Sequence, residues 1–158
     1  MDVKEILKLI VSLAICYLAA RIGAVFTSSS IQTWYVTLNK PFFTPPNWLF
    51  APVWLTLYTL MGIALFLIWR QGFHSPQVKI AGAIFGIQLV LNTLWSIAFF
   101  GFQSPLAGLI VIILLWVAIA VTIKTFLPLS KPAGVLLIPY ILWVSLAAAL
   151  NVAIVVLN

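Results

Sequence analysis

The chain has 158 residues, of which 65% are hydrophobic and only 6% charged, with a net charge of +6. A soluble domain carries about 25% charged residues, so this chain cannot cover a water-facing surface and reads as an all-α integral membrane protein. Its length allows one compact bundle and no separate soluble domain. The cations are scattered at segment ends without forming a stripe, which argues against a nucleic-acid partner. They are placed to set topology and to meet anionic lipid headgroups.

A first apolar run covers about residues 6–26, a length suited to one membrane-spanning helix of roughly 20 residues. It is too long for a signal-peptide core and lacks a small-residue cleavage site. Arg21 interrupts it near its end, either snorkelling to the interface or facing a pocket mouth as a cation for an anionic ligand group. Thr27 to Gln32 is polar and reads as a helix stop. Together with the segment that follows, it makes a connection spanning 27–46.

The chain is organised around Trp34 to Trp54, which holds four of the nine prolines, Pro41, Pro45, Pro46 and Pro52. Proline fixes φ and drives the preceding residue towards extended backbone, so Trp34 to Pro46 cannot be one helix. Trp34, Tyr35, Phe42 and Phe43 make it too aromatic for a solvated linker. Two readings stay open: a stiff lid over a pocket at the membrane surface, or an interfacial loop whose aromatics sit at headgroup level.

A second helix is predicted over 47–69, with Asn47 as its N-cap after Pro-Pro and Trp54, Tyr58, Met61, Leu65 and Trp69 on one face. Arg70 to Gln77 forms a loop holding His74 and Pro76. A third helix is predicted over 78–100. In it Gln88, Asn92, Trp95 and Phe99 are spaced i, i+4, i+7, i+11, and this stripe must face protein because unpaired amides are costly in hydrocarbon. Gly82 and Gly86 form a G-x-x-x-G, a groove for a second copy of the chain or for a helix of the same chain. A fourth helix is predicted over 105–126 with Pro105 at its first position. Residues 128–132 read as a short loop, and a fifth helix over 133–157 should kink at Pro139. Trp143, Ala147, Leu150 and Ile154 share one face of it. With five helices, one side of the membrane holds Lys4, Lys8, Arg70, Lys79, Lys124 and Lys131. The positive-inside rule then places the N-terminus in the cytoplasm.

The absent residue types narrow the chemistry. Asp2 and Glu5 are the only carboxylates, both at the N-terminal end, which excludes paired-carboxylate catalysis and argues against a conventional proton-coupled pump. The single histidine, His74, sits in a loop without partners for a metal site. The single cysteine, Cys16, reads as a small buried hydrophobe. No glycine-rich phosphate loop precedes a helix. What the chain does offer is seven Trp, four Tyr and eleven Phe. An aromatic lid above Gln88, Asn92 and Trp95 suits a mostly apolar pocket with a few orienting amides, and hence a flat hydrophobic ligand.

Three segments carry a resemblance: W-Y-V-T-L-N-K-P-F-F-T-P-P at Trp34 to Pro46, Q-L-V-L-N-T-L-W-S at Gln88 to Ser96, and L-I-P-Y-I-L-W-V-S-L-A at Leu137 to Ala147. They resemble the tryptophan-rich sensory protein/translocator protein family, once called the peripheral benzodiazepine receptor. The resemblance implies five transmembrane helices, frequent homodimers, and an inter-helix pocket closed by the first loop. It implies binding of porphyrins such as protoporphyrin IX and haem, and of benzodiazepine and isoquinoline carboxamide compounds. It further implies a part in tetrapyrrole handling and stress signalling, with porphyrin as ligand and no required cofactor. Carried over residue by residue, it assigns ligand contacts to Tyr35, Pro45, Trp54, Tyr58, Gln88, Asn92, Trp95, Trp143 and Ala147. Trp54 and Trp143 match a pair implicated in light-dependent porphyrin breakdown in some bacterial members. The chain departs from the family where Phe42 or Phe43 replaces a frequent Trp. It also lacks the C-terminal Tyr-plus-basic cholesterol motif, so cholesterol is not expected as a partner. With no transit peptide evident, a bacterial or archaeal cell membrane is the expected location.

Overall fold

The computed structural model describes all 158 residues and contains helices but no strands. The helices are α1 (Val3–Ser30), α2 (Asn47–Trp69), α3 (Pro76–Ser96), α4 (Pro105–Leu129), α5 (Lys131–Leu136) and α6 (Ile138–Leu157). A π-helical turn, Ile97–Gly101, extends α3, and α5 and α6 together make one span. Five units are thus long and apolar enough to cross a membrane, as the composition predicts. The segment between α1 and α2 is a non-helical lid apart from one 3-10 turn, Tyr35–Thr37. Large apolar side chains lie exposed along every span; for a bundle solvated by lipid tails this outward surface carries no penalty.

Several expected boundaries move, each for a local reason. The polar stretch after Phe26 does not stop α1, which runs on to Ser30. Its hydroxyls are absorbed by carbonyls: Thr27 Oγ1 donates to Gly23 O, Ser29 Oγ to Phe26 O, and Ser30 Oγ crosses to Phe100 O at 2.7 Å. Pro46, in extended conformation, takes the N-cap position expected of Asn47, which becomes the first helical residue. Pro76 opens α3 instead of belonging to the loop, since a first-turn N–H has no helical partner to lose. The loop expected at 128–132 shrinks to Ser130 alone. Pro128 is accommodated in the last turn of α4, and Ser130 bonds back to Phe126 O while its Oγ accepts from Ala133 N. The last span breaks at Leu137, two residues before Pro139, in line with the kink read from that proline.

Around the bundle, α1 packs against α2 and α3, α4 lies between α3 and α6, and α5 covers the end of α2. One face of the molecule is tied by Arg70 to Glu5 at 3.0 Å and by Gln71 Nε2 to Leu129 O at 2.6 Å. The opposite face carries the lid, clasped to the last turn of α6: Asn39 N donates to Asn158 Oδ1 and Asn158 Nδ2 to Asn39 O. No helix of this chain fills the Gly82/Gly86 groove. Phe73 lies where a Gly82 side chain would start, and nothing lies within 4 Å of a Cβ built on Gly86.

Gly62 sets the close contact between α1 and α2. A Cβ there would sit 2.7 Å from Leu13 Cδ2 and 3.0 Å from the Leu13 backbone, so only glycine lets α1 and α2 approach this closely. Gly62→Ala should lower stability by about 1–3 kcal/mol through overpacking, whereas Gly86→Ala should leave the monomer unaffected. Thermal unfolding of both variants in detergent tests the contrast.

Candidate ligand-binding cavity

Between the lid-side halves of α1, α2, α3 and α6 lies a cavity of about 520 Å³. Proline keeps the lid out of helical form, and its aromatics then plug the bundle. Tyr35 is 3% exposed and packs on Phe50, Phe99 and Phe100, while Trp34 meets Phe99 edge-on at 5.5 Å. Lys40 reinforces this closed form from within the lid. Its Nζ donates to Tyr35 O at 2.9 Å and Leu38 O at 3.0 Å, and lies 4.7 Å from the Tyr35 ring centre. Burial pushes the Tyr35 phenol above its ordinary pKa, so the phenol stays neutral well into alkaline solution. In the lid, Tyr35 turns inward, while Phe42 is fully exposed.

The floor is a directed chain of hydrogen bonds. Tyr58 Oη donates to Asn92 Oδ1 at 2.5 Å, and Asn92 Nδ2 donates to Tyr140 Oη at 2.7 Å. Tyr140 Oη then donates to Gln88 Oε1 at 2.7 Å, and Gln88 Nε2 approaches Met61 Sδ at 3.9 Å. All five residues are buried. The chain joins α2, α3 and α6 and accounts for amides that hydrocarbon would otherwise penalise. A second brace sits to one side, where Trp95 Nε1 donates to Asn151 Oδ1 at 3.0 Å and Asn151 Nδ2 to Pro105 O at 2.7 Å.

The walls are aromatic. Trp54 meets Trp143 edge-on with ring centres 6.5 Å apart and lies 5.8 Å from Tyr58, and Phe50 meets Trp143 at 6.0 Å. Of the residues expected to touch ligand, the structure brings together Tyr35, Trp54, Tyr58, Asn92, Trp95, Trp143 and Ala147 around the cavity. Pro45 and Gln88 do not line it. Pro45 lies in the stretch that leads the lid into α2. Gln88 sits one helical turn below Asn92, behind Tyr140, where both ends of its amide are engaged by the protein.

The sequence reading missed the α1 wall, formed by Ala20, Gly23, Ala24 and Thr27, and it missed Asn151. Asn151 was detectable: it is the only amide inside the apolar run of α6 and lies eight residues after Trp143 on the Trp143/Ala147 face. The α1 wall was not, because small residues in an apolar run carry no polar signal.

No charged side chain lines the cavity. Most polar groups at its floor are already paired, and the Trp143 indole N–H is buried without a partner. Such a site holds a flat apolar body by stacking and burial and offers few polar contacts. No group of His, Cys, Asp or Glu in the chain could hold a metal ion. Within the floor chain, Tyr140→Phe unpairs both Asn92 Nδ2 and Gln88 Oε1, while Tyr58→Phe unpairs Asn92 Oδ1 alone. We therefore expect Tyr140→Phe to lose about 1–3 kcal/mol and Tyr58→Phe less, an ordering that unfolding in detergent would reverse if the chain did not stabilise the bundle.

Comparison with known proteins agrees with this geometry. The TspO/MBR family profile matches residues 11–157. A tryptophan-rich protein TspO of Archaeoglobus fulgidus is 51% identical over 155 residues, covering 98% of this chain and 99% of that protein. One from Chlorobaculum tepidum is 45% identical, covering 98% of both chains. The human translocator protein is 35% identical over 114 residues, 71% of this chain and 67% of that protein. A five-span bundle, a Pro-aromatic lid and a match over nearly the whole length lead to one conclusion: the chain belongs to the TspO/MBR family of multi-pass membrane proteins.

Proposed function

We propose that this protein is a membrane receptor or carrier for porphyrins, protoporphyrin IX and haem among them. Its cavity also suits compounds of the benzodiazepine and isoquinoline carboxamide types. The observation that carries the reading is the cavity itself: it is closed by Tyr35, walled by Trp54, Trp95 and Trp143, floored by Tyr58 and Asn92, and free of charge. Aromatic pairs add about 0.5–1.5 kcal/mol each beyond area burial, so a planar ring system among three indoles has an advantage over an aliphatic ligand of equal size. The cation distribution supports a cytoplasmic N-terminal face in a bacterial or archaeal cell membrane. The G-x-x-x-G of Gly82 and Gly86, uncovered at Gly86, supports a homodimer contact.

A second reading is favoured by one observation. The Trp54/Trp143 pair lies at the cavity wall, and the Trp143 N–H has no partner in the protein. An excited porphyrin can take one electron from an indole; dioxygen then adds to the porphyrin radical anion, the electron returns to the indole radical cation, and the dioxetane formed across a ring C=C bond opens into two carbonyls. Light-dependent breakdown of a bound porphyrin, with dioxygen as co-reactant, is therefore within reach of this site.

Titration of protoporphyrin IX in the dark, followed by tryptophan quenching, separates these readings from no function at the site. Wild type should quench saturably, and Trp54→Phe/Trp143→Phe should bind about 10-fold more weakly, about 1.4 kcal/mol. Absence of saturable binding would refute the receptor reading. Under light and oxygen, a discrete product formed by wild type and not by the double variant would establish the second reading. Equal porphyrin loss in both would dismiss it.

A further inference from the structure

The residues around the cavity are not equally covered. Those from α3 and α6 are buried or half-buried, whereas five from α1 and α2, namely Ala24, Ser28, Asn47, Trp48 and Ala51, and Gln32 of the lid are exposed. The cavity therefore opens sideways, between the lid-side ends of α1 and α2. Deeper in the bilayer the same seam is shut. Leu13 packs into the Gly62 gap, and the Tyr17 and Thr59 hydroxyls meet at 2.6 Å. Above that hydrogen bond and beyond Arg21, the α1 residues lining the opening are the small Ala24 and Ser28, with Ala51 lining it from α2.

Arg21 stands at the foot of this opening. It lies one turn beyond Tyr17 and two turns before Ser28, so the three residues share the edge of α1 that borders α2. The rise between Arg21 and Ser28 is about 10 Å. Arg21 is exposed, and its one possible class of ionic partner within the chain is remote, because both carboxylates lie at the opposite face, where Glu5 is held by Arg70. An unpaired guanidinium at membrane depth is costly unless it serves a ligand or pathway.

We propose that the α1/α2 opening is a lateral portal and that Arg21 selects amphipathic anions at it. A ligand with a flat apolar body and carboxylate tails would slide its body from the bilayer into the cavity. The uncharged cavity cannot accept the carboxylates, which stay at the portal, paired with Arg21 and the outer interface. A planar guanidinium is suited to binding carboxylate through two parallel hydrogen bonds. This inference rests on the proposed ligand reading of the cavity and adds to it a route and a charge requirement.

The test uses the full chain in nanodiscs of zwitterionic phosphatidylcholine and two probes, protoporphyrin IX and its dimethyl ester. Association rates and affinities are followed by tryptophan quenching. In wild type the diacid should associate faster than the ester. Arg21→Gln should slow the diacid about 10-fold, in the range of electrostatic steering, while leaving the ester unchanged, and Arg21→Lys should retain most of the diacid rate. Ser28→Trp, which narrows the portal without touching the cation, should slow both probes. Unchanged ester binding shows that each Arg21 variant is folded. Equal diacid and ester rates in wild type would assign the guanidinium to lipid phosphate and overturn the selection. An Arg21→Gln effect of equal size on both probes would overturn it as well. Unchanged rates for both probes in Ser28→Trp would overturn the portal. If neither probe binds wild type, the underlying ligand reading fails instead.

Discussion

The structure depends on one constraint: buried polar side chains must pair inside the bundle, because lipid offers no partner, and only Ser12 Oγ and Trp143 Nε1 are left without one. The chain from Tyr58 through Asn92 and Tyr140 to Gln88 meets this constraint at the centre, and it does so with donors running in a single direction. Each phenol and amide uses the atom its neighbour needs, so the four side chains lock α2, α3 and α6 in register. The Trp95–Asn151 pair repeats the solution nearer the lid. Where helices would otherwise gain nothing from hydrophobic contact, such networks and close small-residue contacts, as at Gly62, decide which faces meet.

The same constraint shapes the cavity. Because the floor groups are consumed by one another, the space above them presents mostly rings and methyl groups. Tyr35, Trp54 and Trp143 line it with rings, and the absence of charge sets what can enter. The lid completes the enclosure by a different device. Its prolines prevent it from competing as a sixth membrane helix, Lys40 ties its backbone to itself, and Asn39 clasps Asn158.

Arg21 illustrates how one residue admits opposite readings until its surroundings are known. In the sequence it could snorkel or face a pocket mouth. Its spacing, one turn beyond the Tyr17 whose hydroxyl meets Thr59, puts it on the α2-facing edge of α1 with an exposed side chain. The two readings then converge, since a side chain reaching for the interface along that edge passes the opening.

The sequence alone determined the membrane class, the five spans, the non-helical lid and the aromatic stripe of α3, because these follow from hydropathy, proline geometry and helical period, which are local. It determined the pocket residues of α2 and α6 through the family resemblance. The tertiary structure decided what local rules cannot reach. Thr27 to Ser30 stayed helical, with the hydroxyls of Thr27, Ser29 and Ser30 bonded to carbonyls, the last of them to Phe100 O. Gln88 fell behind Tyr140 instead of reaching the cavity, since the i, i+4 stripe places it on the correct face but says nothing of depth. Within the chain, Gly62 and not Gly82 or Gly86 makes a close contact with a neighbouring span, because a small residue matters only where a partner approaches. The small-residue wall of α1, Asn151 as the brace for Trp95, and the sideways opening between α1 and α2 arise from which helices diverge and where, and that depends on contacts between residues far apart in the chain.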